Sequence, residues 1–131
     1  MIIQAINKHQ MERFIPDIEK IVAISLFSSG DKRLVIPCGF ESIIWVQIDD
    51  IDIKMNNLVL FNEEDAKSII NFVLRTRPEK IVINCDAGIS RSVGVMVALE
   101  FMFNSRNLFN KFPLHNKHIA NTMLKVWGDR L

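Results

Sequence analysis

Apolar positions along the chain fall into two patterns. Continuous short runs are the first: Ile21-Val22-Ala23-Ile24-Ser25-Leu26, Ile43-Ile44-Trp45-Val46-Gln47-Ile48 and Ile81-Val82-Ile83-Asn84. Runs of this length fit strands covered on both faces. The β-branched stretch from Met1 to Ile6 predicts a first strand, and Leu34 to Ile36 a short edge strand ahead of Pro37. Spaced apolar positions are the second pattern. Ala66, Ile69, Ile70, Phe72 and Val73 share one helical face behind Asn62-Glu63-Glu64-Asp65. Asn62 is a good N-cap there, and the acids suit the positive end of the helix dipole. Met11 and Phe14 mark a short helix from Lys8 to Phe14, stopped near Pro16. Ile119, Met123, Leu124, Val126 and Trp127 predict a last helix starting at His115 or Asn116. Val93 to Phe103 is apolar almost throughout and reads as a buried helix. Asn104 to Leu114 is an irregular connection.

Strands alternating with helices predict an α/β domain. Its central sheet is expected to be mostly parallel, mixed, of about four to five strands, with helices flanking it. A length of 131 residues with 49% hydrophobic content implies one domain, residues 1–131, with a real core. The formal net charge of +1 sets up no global field calling for nucleic acid or an acidic membrane. Cys38 and Cys85 are too few for a disulfide framework and fit a reducing cytoplasm. Met1-Ile2-Ile3-Gln4 lacks the basic start of a signal peptide, and no apolar run is long enough to span a bilayer. His9, His115 and His118 show no metal spacing, and His115 and His118 are expected on the surface. Neither metal nor cofactor is expected, and a monomer is.

The chemistry concentrates at Cys85-Asp86-Ala87-Gly88-Ile89-Ser90-Arg91-Ser92, between a strand and the buried helix. Strand, tight loop and helix N-terminus together form a geometry that binds oxyanions. The amides of Asp86, Ala87, Gly88, Ile89, Ser90 and Arg91 are the expected cradle. Arg91 can grip two oxygens of a tetrahedral anion at once. Gly88 marks a close backbone approach or a positive φ. A cysteine heading such a loop has its thiolate stabilised by the same donors. Ser92 can donate to that sulfur or cap its own helix. Asp86 is expected to point its carboxylate away from the anion. This set reads as a phosphate-transfer site.

Cleaving a phosphoester also requires an acid to protonate the departing oxygen. The strand ending at Ile48 delivers Asp49, Asp50 and Asp52 to the same sheet edge as Cys85, if the strands run parallel. All three are candidates.

Cys85 to Ser92 resembles the Cys-x5-Arg-Ser/Thr signature of the cysteine-dependent protein tyrosine phosphatases. The Ala-Gly-x-Ser-Arg-Ser version is most similar to the dual-specificity branch. That resemblance implies a phosphatase fold and a two-step, metal-free hydrolysis through a cysteinyl-phosphate. It also implies Cys85 as nucleophile, Arg91 as clamp, Ser92 as an aid to sulfur departure and a loop aspartate upstream as acid. Setting Gln47-Ile48-Asp49-Asp50 beside the family's strand end favours Asp50, with Asp49 next. The implied substrate is phosphotyrosine, or phosphoserine and phosphothreonine if the pocket is shallow, in a phosphorylated protein or small phosphoester. The family places His directly before the nucleophile, where this chain has Asn84. Two other classes remain: a non-catalytic phosphate-binding module, and a sulfurtransferase of the rhodanese kind, whose loop is usually shorter.

Overall fold

The computed structural model describes residues 1–130. In chain order the elements are β1 (Ile2–Asn7), α1 (Lys8–Glu12), β2 (Ile21–Phe27), β3 (Ser42–Gln47), α2 (Glu63–Thr76), β4 (Lys80–Cys85), α3 (Arg91–Asn104) and α4 (Lys117–Asp129). The four strands form one sheet in the order β1-β4-β2-β3, and every neighbouring pair is parallel.

Alternation along the strands sorts side chains onto two faces. Val22, Ile24 and Leu26 of β2 join Ile81, Ile83 and Cys85 of β4 in the larger core, packed with residues of α2, α3 and α4. Ile21, Ala23 and Val82 face the other way, into a smaller core closed by Met11 of α1 and by Leu34, Ile36 and Phe40. Both faces are therefore covered, which explains why β2 and β4 read as continuous apolar runs rather than alternating ones.

The sheet is simpler than the sequence suggests. Leu34 to Ile36 forms no strand. Leu34 and Ile36 contribute side chains to the smaller core, and the Leu34 carbonyl accepts from the Trp45 indole at 3.0 Å. Pro37 has no N–H to extend a ladder. β3 remains the edge, and the sheet is wholly parallel rather than mixed.

Local signals set the helix starts. Asn7 and Gln10 form a reciprocal capping box that turns β1 directly into α1. Asn62 and Asp65 do the same for α2. Asn116 caps α4 through the Ile119 amide at 3.0 Å. A parallel sheet gathers all strand ends at one edge, so Asn7, Phe27, Gln47 and Cys85 finish side by side. The site is built there. Among the described residues no helix is long and apolar enough to cross a membrane.

Candidate active site

Cys85 ends β4 and is 2% exposed. The loop after it turns at Gly88, whose φ is +71°. A Cβ at that position would lie 2.6 Å from both the Asn7 nitrogen and the Ile6 carbonyl carbon. The loop thus leans directly on the end of β1, and only glycine satisfies both the conformation and the space. This turn brings the Gly88 N–H to 3.2 Å from Cys85 Sγ, to which it donates. Ser92 Oγ, in the first turn of α3, also lies 3.2 Å from the sulfur. Two polar groups thus converge on the sulfur, one from the loop and one from the helix.

Arg91 opens α3 with a side chain only 7% exposed. Its guanidinium donates through Nη1 to Ser28 Oγ at 2.8 Å and to the Ile48 carbonyl at 2.9 Å. Through Nη2 it donates to Asp86 Oδ2 at 3.2 Å. The ends of β2 and β3 therefore hold the arginine in place beside the loop. Ser28 links the set, accepting from Arg91 and donating to Asp86 at 3.4 Å. The Asp86 carboxylate thus turns toward the arginine. Desolvation of the guanidinium makes a nearby counter-ion favourable, and Asp86 supplies one.

The three acidic candidates separate by environment. Asp49 is buried and accepts from the Ser29 hydroxyl at 2.7 Å, the Ser29 amide at 3.1 Å and the Val59 amide at 2.7 Å. Burial alone would raise its pKa. The bonds from Val59 and Ser29, with Arg91 close by, outweigh that and hold the carboxyl below its ordinary value. Asp49 ties two loops together. Asp50 is exposed, and its Oδ1 accepts from Ser90 Oγ at 2.7 Å and Asn116 Nδ2 at 2.9 Å. It is the carboxylate bonded to the cysteine loop. Asp52 is exposed and lines the same shallow polar depression as Asp50 and Ser90.

Comparison with protein-family models, curated proteins and solved structures gave no match. The site's reading therefore rests on its own residues and geometry.

Sequence reasoning did not single out Ser28 or Asn116 as members of the site. Ser28 stands in Ser28-Ser29-Gly30-Asp31, a stretch of turn-forming residues with no chemistry to read. Asn116 was visible as a helix start, but its amide also donates to Asp50 and Ile51, and its backbone N–H donates to Ser90 O at 3.0 Å. Ser90, expected to matter mainly through its amide, commits its hydroxyl to Asp50 and leaves α3 without a side-chain cap. His115 is buried, not on the surface, with Nδ1 2.6 Å from the Phe112 carbonyl; His118 Nε2 lies 2.7 Å from the Phe61 carbonyl. Cys38 is an exposed free thiol and Cys85 a buried one. Among the described residues no group of three or more His, Cys, Asp or Glu is placed to hold a metal ion.

Proposed function

We propose that this chain is a phosphoester hydrolase of the protein tyrosine and dual-specificity phosphatase type. The observation that carries the reading is the sulfur of Cys85 at a strand end, with the Gly88 amide and Ser92 hydroxyl each 3.2 Å away and Arg91 buried in the same loop. In the first step the Cys85 thiolate attacks phosphorus, and the bond to the ester oxygen breaks. The amides of residues 86 to 91 and the Arg91 guanidinium stabilise the three non-bridging oxygens. Asp50 gives its proton to the departing oxygen. In the second step the ionised Asp50 takes a proton from water as its oxygen attacks phosphorus. The P–S bond breaks, and Ser92 donates to the departing thiolate. Arg91 Nη1 is committed to Ser28 and Ile48, so Nη2 and Nε are the donors left for the phosphoryl oxygens beside Asp86.

The substrate class is a phosphorylated protein side chain or a small phosphoester, and the setting a reducing cytoplasm compatible with a free nucleophilic thiol. A second reading, a phosphate-binding module without turnover, draws support from Asn84, a neutral amide directly before Cys85 where the phosphatase signature carries His. Hydrolysis of p-nitrophenyl phosphate, run beside thiosulfate-dependent sulfur transfer, tests the choice. Phosphate release without sulfur transfer supports the hydrolase. Binding of inorganic phosphate without release favours the module, and sulfur transfer alone would favour a rhodanese-like enzyme.

A further inference from the structure

A second polar cavity, of about 420 Å³, opens on the α1 face of the sheet, beside the cysteine loop. Its size falls within the range of small-molecule sites. Ser25 of β2 and Asn84 of β4 line it, standing opposite each other in register. Ser25 is 0% and Asn84 2% exposed, and neither Ser25 Oγ nor Asn84 Oδ1 has a hydrogen-bond partner among the described residues. Their neighbours along this face, Ala23 and Val82, are apolar core. A hydroxyl and an amide left unpaired side by side in such a face cost stability, which an occupant of the cavity would relieve.

The walls indicate what that occupant is. Lys8, Lys32 and Arg33 bring three cations, and Glu12, Asp31 and Asp86 bring three carboxylates. Charges of both signs line the cavity and Asp86 is shared with Arg91, so the walls present no field of one dominant sign. What it offers is donors and acceptors interleaved around a polar floor, with Leu34 and Val35 as an apolar wall. Hydroxyl groups match such a surface, because each both donates and accepts. The C–H face of a ring matches the apolar wall. A ligand hydroxyl reaches the Ser25 oxygen or the Asn84 amide oxygen only after that side chain rotates toward the cavity. Arg33 is already held, its guanidinium 5.3 Å from the Trp45 ring centroid.

We propose that this cavity binds a small neutral polyol of monosaccharide size. The site is independent of the chemistry at Cys85, although Asp86 borders both: its carboxylate meets Arg91 and lines the cavity. The experiment is titration of the 15N-labelled full chain with myo-inositol and with D-glucose, followed by amide shifts in wild type, Ser25→Ala and Asp31→Asn. The expected result is saturable shifts at Ser25, Lys32 and Asn84 with at least one polyol, and an affinity about tenfold weaker in Ser25→Ala. Asp31→Asn changes an exposed rim position, leaves the core untouched and should also weaken binding. Absence of saturation with both polyols would overturn the proposal. So would unchanged affinity in both variants, or the same shifts produced by inorganic phosphate instead of polyol.

Discussion

Arg91 is anchored by a serine hydroxyl, a main-chain carbonyl and a carboxylate, all in directions that suit a planar fork. An ammonium in its place keeps the charge and loses the paired contact with an anion. Arg91→Lys is therefore expected to lower kcat/KM for p-nitrophenyl phosphate by about 100-fold or more. Activity near wild type would make the arginine purely structural. Asp50 carries a different signature. Its carboxylate is held against the loop by Ser90 and Asn116, so Asp50→Asn preserves shape and removes the proton. The rate should drop about 100-fold for alkyl phosphates with poor leaving groups and far less for activated aryl phosphates. An equal drop for both would deny Asp50 the role of acid. Asp49 differs again, since its bonds join the turn after β2 to the segment around Val59. Its folded carboxyl lies below the ordinary 3.8, so the stability it contributes is full above that value and is lost as pH falls through the lower folded pKa. Asp49→Asn should cost about 1–2 kcal/mol in urea unfolding at neutral pH, with the gap to wild type closing under acid.

At the level of elements, the loop between β4 and α3 works because β1 supplies a floor for it. Gly88→Ala would push a methyl group into the backbone of Ile6 and Asn7 and place alanine at positive φ. The expected cost is about 2–3 kcal/mol in equilibrium unfolding, with the Gly88 amide displaced from sulfur. A cost below about 0.5 kcal/mol would mean that the loop does not rest on β1 as described. Much of this level was legible in the sequence. The continuous apolar runs around Ile24 and Val82 marked buried strands, Asn62 and Asn116 marked helix starts, and Gly88 marked the close approach. What escaped had no local signal. Leu34 to Ile36 has strand-like composition but packs by side chains alone, because pairing depends on a partner that the stretch itself does not specify. Ser28 meets Arg91 only because a parallel sheet brings the ends of β2 and β4 together. The burial of His115 likewise comes from the packing of the irregular connection, which shows no periodicity to read.

Across the whole molecule, parallel pairing converts sequence separation into proximity. Residues following β2, β3 and β4 converge at one edge, where Cys85 meets Ser92, Arg91 bonds Ser28 and the Ile48 carbonyl, and Ser90 bonds Asp50. The strand pattern and the Cys85 to Ser92 signature made that convergence foreseeable, while the internal pairing of Asp86 with Arg91 was foreseeable only from the three-dimensional arrangement. The opposite face of the same edge carries the cavity at Ser25 and Asn84, so the fold offers two polar sites separated by Asp86. Through the proposed mechanism Cys85 becomes covalently phosphorylated during turnover. The most direct measurement is acid quenching during hydrolysis of p-nitrophenyl phosphate, with intact-mass analysis and peptide mapping of the quenched chain. A single phosphoryl adduct on Cys85 is expected in the wild type, together with loss of both adduct and turnover in Cys85→Ser. Turnover by Cys85→Ser at a rate close to wild type, or an adduct mapped to another residue, would contradict it.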